Sequence, residues 1–308
     1  YAPFVSKVKE MRSKAKILCN KLNKITPCRV SLSKAMNLGN VMSIWYTLNM
    51  DPQSKEIIEY CIQLNSYLRS MTVVSEKIDN EILGKALFTD KESKVKGVYY
   101  PHIDTEPVKN DVDLSKNIII TGPNAAGKTT ILKSTMFAII TAQQFGFGYF
   151  SSAKINPYSV LHSYINIPDT SARDSLFQAE ASRCKNILRE ISENKERHFC
   201  IFDELFSGTN PYEAISAANA YLSYINKNKN VTYILTTHFL DLCKKLDKKR
   251  SVKNMHMFVS QKNNDFVYNY KLKSGISDVK GGIKVLRDLD YPEEIITASA
   301  KVIKKLNI

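Results

Sequence analysis

The sequence predicts an α/β protein: a mostly parallel sheet with helices on its faces, preceded by a mainly α-helical region and closed by a C-terminal helical segment. Three observations carry that prediction. From about Val98 onward, apolar strand-like runs alternate with helical segments. One such run, "NIII" from Asn117, opens directly into "TGPNAAGKTT", where Gly122 to Thr129 has the spacing G-x-x-x-x-G-K-[ST] that cradles phosphate between a strand and a helix. Upstream, residues 1–24 and 52–85 hold long stretches without glycine in which apolar residues recur at helical spacing.

In the helical third, Ile57, Tyr60, Cys61, Leu64, Tyr67, Leu68 and Met71 mark one face of a helix, and "NLGNVMSIWYTLNM" reads as a shorter buried one. The polar stretch 89–97 is the best candidate boundary, dividing the chain into 1–92, 93–272 and 273–308. Residues 118–121 then form a buried strand. A helix follows from Thr129 to about residue 144, with Ile131, Leu132, Met136, Ile139 and Ile140 on its apolar side. The aromatic cluster "FGFGYF" at 145–150 reads as core packing. Residues 174–193 form a second helix, "HFCIFDE" a second strand, and 211–226 a third helix opened by Pro211. "VTYILTTH" is a third strand, and "NMHMFVS" and "FVYNYKLK" around "QKNND" predict a hairpin. Helices over 282–289 and 292–306 close the chain.

Composition narrows the class. At 308 residues, 44% hydrophobic and 24% charged, the chain reads as an ordinary globular protein. No apolar run approaches the ~18 residues a bilayer span needs, and no signal peptide is visible. An intracellular setting is expected, with nucleus, cytoplasm and viral replication site all open. The first residue is not Met, so further domains stay open. Six cysteines (19, 28, 61, 184, 200 and 243) form no C-x-x-C and predict neither disulfides nor zinc. The net charge is +14, and residues 1–36 carry nine Lys or Arg against Glu10 alone. Such a surface attracts polyanions, nucleic acid foremost, although a solvated helix face accounts for this segment equally well.

The chemistry lies in three motifs. In the first loop, backbone N–H groups of Gly122, Pro123's neighbours Asn124, Ala125 and Ala126, and Gly127 would hold phosphate oxygens at the helix N-terminus, with Thr130 alongside. Lys128 would reach the β- and γ-phosphates, and Thr129 would place its hydroxyl on Mg²⁺. "FCIFDELFSGTN" ends a strand in Asp203, which would hold Mg²⁺, and Glu204, which would orient and polarise an attacking water. "YILTTHFLDL" ends another in His238, placed to contact a γ-phosphate.

Phosphate loop, Asp-Glu strand end and strand-end His, in that order, resemble the ATP-binding-cassette class. Within it, residues 98–308 closely resemble the ATPase domain of the MutS family of DNA mismatch-repair proteins. "TGPNAAGKTT" looks like that family's phosphate loop, "DELFSGTNPYEAISAANA" its Asp-Glu segment, and "TTHF" its strand-end His. "DTSARDSLFQAE" is similar to its signature, with Ser175, Phe177 and Glu180 in step. The tail "YKLKSGISDVKGGIKVLRDLDYPEEIITASAKVI" resembles its closing segment. The resemblance implies an ATPase using ATP and Mg²⁺, and a dimer, expected to be a homodimer through the ATPase domain, in which Ser175 contacts ATP held by the partner and Asn124 links the loop to it. It also implies C-terminal dimerisation helices, an N-terminal third resembling the core and lever region, and DNA, mismatched or branched, as the partner. Three positions depart from the pattern. Arg173 replaces the signature glycine and Leu176 its threonine. Val108 stands where the family stacks an aromatic on adenine, leaving Tyr99 or Tyr100 as substitutes. No mismatch-reading wedge domain occurs in these residues. A role on recombination intermediates or ribosomes, or a structural protein with a degenerate ATPase, are the alternatives.

Overall fold

In the computed structural model of the chain, residues 2–23, 38–102, 106–167, 176–262, 265–277, 279 and 281–305 are described. They form two units, Tyr1–Asp79 and Asn80–Ile308. The first unit consists of α1 (Ala2–Leu22), α2 (Leu38–Asn49) and α3 (Pro52–Asp79). Asp51 starts α3: its carboxylate accepts from the Ser54 N–H at 3.1 Å and the Ser54 hydroxyl at 2.7 Å, with Pro52 at the first helical position. Met11 and Leu18 of α1 bury against Ile57 of α3.

The two apolar stripes expected here are covered less than their sequence suggests. Of the α3 stripe only Ile57 is buried, and Tyr67, Leu68 and Met71 are exposed. The short helix α2 forms, but Val41, Met42, Trp45 and Tyr46 are exposed, correcting the expectation of a buried helix. Within this unit α2 lends only Leu48 to the small core, because that core is confined to the start of α3.

The second unit holds β1 (Gly84–Phe88), β2 (Lys94–Val98), β3 (Asn110–Asp113), β4 (Asn117–Thr121), α4 (Lys128–Phe145), β5 (Phe147–Gly148), β6 (Ser152–Ile155), β7 (Val160–Tyr164), α5 (Leu176–Glu193), β8 (His198–Asp203), α6 (Pro211–Ile225), β9 (Val231–Thr236), α7 (Leu240–Asp247), β10 (Val252–Lys262), β11 (Asp265–Ser274), α8 (Gly282–Asp288) and α9 (Glu293–Lys305). A six-stranded sheet runs β11-β10-β4-β9-β8-β7. Its strands are parallel except β11, which pairs antiparallel with β10 as the hairpin pattern predicts. A five-stranded sheet, β3-β2-β6-β1-β5, has only its β1–β6 pair parallel. Both sheets are therefore mixed: the expected parallel order holds for five neighbouring strands of the first, and the second, mainly antiparallel, is an addition to the single sheet expected. The second sheet escaped notice because its strands are at most five residues long and partly polar, as in "KVKGV".

β4 is buried along its whole length, and its side chains alternate between two layers. Ile118 and Ile120 join α4 and the five-stranded sheet, whereas Ile119 joins the layer of α5, α6 and α7. Helix α4 thus lies between the sheets. Ile131, Leu132, Ala138, Ile139 and Ala142 are all buried, which anchors the helix directly behind the glycine loop. Phe150 of the aromatic cluster is buried, but Phe145 is exposed. Among the described residues no helix is long and apolar enough to cross a membrane.

Candidate active site

The site forms where β4, β8 and β9, adjacent in the sheet, reach their C-terminal ends. After β4 the chain takes positive φ at Gly122, Ala125 and Gly127 before α4 begins. At Gly127 (φ 93°) a Cβ would also meet the Tyr270 ring at 3.2 Å, so only glycine fits. No side chain caps α4, which leaves the N–H groups of its first turn to other acceptors. Lys128 is buried. Its Nζ donates to the carbonyls of Gly122 at 3.1 Å and Pro123 at 3.2 Å. The same atom lies 3.0 Å from His238 Nε2 and 4.0 Å from Glu204 Oε1. Burial pulls the Lys128 pKa down, while Glu204 and Asp203 pull the other way.

Asp203 closes β8 opposite Thr236, its register partner on β9. The Thr236 hydroxyl donates to Asp203 Oδ1, and the Thr129 hydroxyl donates to Oδ2 at 2.9 Å. The next residue, Glu204, has φ 53°, a conformation that costs a non-glycine residue about 1–2 kcal/mol. Its N–H is held by the Thr236 carbonyl at 3.1 Å. Glu204 Oε1 lies 2.9 Å from His238 Nε2, and this hydrogen bond holds the Glu204 carboxyl below the usual range against the opposing effect of burial. One ring nitrogen cannot accept from Lys128 and donate to Glu204 at once, so the His238 tautomer selects the partner.

Behind this cluster Glu180 of α5, fully buried, accepts from the Ser207 N–H (3.1 Å), the Ser207 hydroxyl (3.0 Å) and the Gly208 N–H (3.1 Å). A Cβ on Gly208 would lie 2.8 Å from the backbone nitrogen of Phe177. The turn after Glu204 is therefore packed hard against the first turn of α5.

Lys128, Thr129, Asp203, Glu204 and His238 come together as described. Asn124 and Ala125 are exposed on the loop, and Ala126 is buried beneath it. Ser175 and Arg173 lie outside the described residues, whereas Leu176 opens α5. Beside Gly127 and Thr130 is a cavity of about 260 Å³ whose walls include Tyr99, Tyr100, Val108, Asn110 and Tyr270. Tyr99 is fixed there by donating its hydroxyl to the Ile82 carbonyl. Sequence reasoning missed Thr236, Asn110 and Tyr270. Thr236 had a signal, since it sits level with Asp203 once the two strands are aligned. Asn110 had none: it bridges β3 to β11 by donating to the Tyr270 carbonyl at 2.9 Å and accepting from the Leu272 N–H at 2.7 Å.

The oxygen pair of Thr129 and Asp203 fits a hard divalent cation such as Mg²⁺, which takes one or two protein oxygens and fills its shell from substrate and water. Among the described residues no three His, Cys, Asp or Glu side chains converge as a dedicated metal cage.

A family model described as MutS domain V matches residues 118–307. The chain is 27% identical over 243 residues to a DNA mismatch repair protein MutS of Clostridium perfringens, covering 75% of this chain and 26% of that one. It is 30% identical over 203 residues to the protein of that name from Caldanaerobacter subterraneus, covering 65% and 23%. With that of Caldicellulosiruptor saccharolyticus the figures are 29% over 258 residues, 80% and 29%. The chain thus spans about a quarter of the length of these curated relatives. The matched region holds the loop, both strand-end motifs and the closing helices, and the chain belongs to the MutS family through its domain V.

Proposed function

We propose that this chain is the ATP-binding and ATP-hydrolysing part of a MutS-type switch that works as a dimer on DNA. The observation that carries the reading is the convergence of Lys128, Thr129, Asp203, Glu204 and His238 at adjacent strand ends. The loop N–H groups and Lys128 bind the phosphates. Thr129 and Asp203 hold Mg²⁺, which supplies charge neutralisation at the phosphate oxygens. Glu204, kept ionised by His238, orients the attacking water and polarises its O–H, and His238 contacts the terminal phosphate. The cavity flanked by Tyr99, Tyr100, Val108 and Tyr270 takes the adenine.

Ser175 completes the partner's site, Asn124 joins the two loops, and residues 273–308 secure the dimer. Residues 1–92 relay nucleotide state, and 93–272 carry the hydrolysis. Closing two such sites face to face converts ATP binding into movement around the bound polymer. The relatives are named DNA mismatch repair proteins, which supports mismatched or branched duplex as that polymer. The net charge of +14 supports a polyanion.

The test is steady-state ATP hydrolysis by the full-length protein and its Glu204→Gln variant, with plain, mismatched or branched duplex or ribosomes added. Glu204→Gln should lower kcat by about 10²–10⁴-fold while retaining nucleotide binding. Wild-type turnover by the variant sinks the water-positioning assignment. Turnover indifferent to every DNA overturns the DNA reading.

A further inference from the structure

The opposite edge of the six-stranded sheet carries charge that the nucleotide site does not use. β10, β4 and β9 are neighbours and run parallel, so the turns leading into them lie side by side. Each turn is basic. Lys116 precedes β4, Lys227 and Lys229 precede β9, and Lys248, Lys249 and Arg250 precede β10. All but the half-buried Lys249 are exposed.

These turns are tied together below the surface. The Asn117 N–H donates to the Ser251 carbonyl at 2.9 Å, and the Asn117 side-chain amide donates to Asn226 Oδ1 at 2.8 Å. The Ser251 hydroxyl donates to the same Asn226 oxygen at 3.4 Å. Among the described residues, no carboxylate forms an ion pair with any of the six cations. The nearest in sequence, Asp247, instead accepts from the Asn254 amide at 2.7 Å. Six cations on a braced edge, none of them in an ion pair among the described residues, outnumber the neighbouring carboxylates Asp247 and Glu196 and attract an outside anion.

We infer that this edge is a second polyanion surface, which binds the phosphate backbone of duplex DNA on the face of the ATPase unit opposite the nucleotide loop. Adjacent strands are about 4.8 Å apart, so the three turns span a length over which a duplex offers several phosphates. Beside the turns Tyr224 is exposed, and Lys227 lies over its ring at 5.8 Å. The turns themselves offer charge and no exposed large apolar side chain among their described residues, which favours a duplex backbone over a lipid surface. The contacts are to phosphate alone, so they hold and orient DNA without reading its sequence. The inference rests on the proposed function for the identity of the polymer.

The test uses the full-length protein and the variant K248Q/K249Q/R250Q, binding a fluorescent, fully paired duplex from about 50 to 200 mM salt. Three lost phosphate contacts should lower the slope of log K against log salt by about 3 and weaken binding on the order of tenfold or more at the low end. ATP turnover without DNA should stay unchanged, because none of the three residues approaches the nucleotide site. The control K85Q/K91Q/K185Q removes the same charge elsewhere and should leave affinity near wild type. Unaltered DNA binding in the first variant overturns the inference, as does equal loss in the control. Anionic phospholipid vesicles released by the first variant while duplex stays bound would also overturn it. A wild-type protein without ATP turnover refutes the proposed function instead, so the two failures remain distinct.

Discussion

The two ends of the central parallel strands treat buried polar groups in opposite ways. At the leading end, Asn117 accepts from the Tyr233 N–H at 2.9 Å and donates to Asn226. His198 lies 2.9 Å from both His162 Nε2 and the Asn194 carbonyl. Those partners are all protein, and the groups are sealed in. At the trailing end the buried ammonium of Lys128 faces half-open Glu204 and His238, and the backbone is held at positive φ at Glu204 and Phe206. A closed polar network fixes strand register. That fixed register lets the other end hold strained backbone and keep its charged groups facing outward. Rigidity at one end supports chemistry at the other.

The largest test of that contrast targets Glu180, which pins the turn after Glu204. Glu180→Ala orphans the Ser207 and Gly208 N–H groups and should cost about 3–5 kcal/mol of stability, read by urea unfolding. The milder Glu180→Gln keeps the shape but turns an amide toward a donor. On the proposed role of Glu204, the variant's expected signature is a fall in kcat at nearly constant KM, because the Glu204 carboxylate loosens while the phosphate-loop contacts stay. An unchanged kcat in a destabilised Glu180→Gln protein would make Glu180 a structural tie only.

Next in size is the leading end. Asn117→Ala removes two buried hydrogen bonds and leaves the Tyr233 N–H without its acceptor. The expected cost is about 2–3 kcal/mol, or roughly 5–10 °C in Tm. ATP turnover at a temperature where the variant is folded should match wild type. A kcat loss comparable to that of Glu180→Gln would erase the distinction between the two ends.

How far the sequence foretold this follows from the range of the interactions. The phosphate loop, Asp203, Glu204 and His238 were legible because each sits at a fixed offset from an apolar run that can only be a buried strand. Thr236 was half legible, since its role needs the alignment of two strands that the sequence leaves unpaired. Asn110, Tyr270 and the five-stranded sheet were not legible. Asn110 and Tyr270 are 160 positions apart, and β3 and its sheet neighbours are too short for a period to appear. The strand of Tyr270 was legible as half of a hairpin, but not what its side chain faces. The apolar spacing of α2 and α3 was real, but spacing gives a face and not what covers it. Their exposed Trp45, Tyr46 and Leu68 show the limit.

The smallest expected effect is a pH slope, and it separates the two ends by sign alone. His162 on β7 is buried against His198 of β8, with Glu190 of α5 at 3.6 Å and Arg183 of the same helix also acting on it. Burial lowers its pKa from 6.5, His198 and Arg183 push the same way, and Glu190 opposes them without prevailing. The folded protein therefore favours the neutral ring. As pH falls through about 6.5 the unfolded chain takes up a proton that the folded one refuses, so stability declines from there down through the folded pKa. Above that window the contribution is flat. His162→Gln should lower stability at neutral pH by removing the ring contact, yet flatten the decline between about pH 7 and 5. Glu204 titrates in a separate window: its lowered pKa gives stability above the ordinary carboxylate range that is lost only as pH falls through the folded value. Thermal melts at several pH values for wild type and both His162→Gln and Glu204→Gln resolve the two. A Glu204→Gln protein that flattened the pH 7 to 5 slope, with His162→Gln leaving it intact, would assign that slope to the trailing end and reverse the comparison.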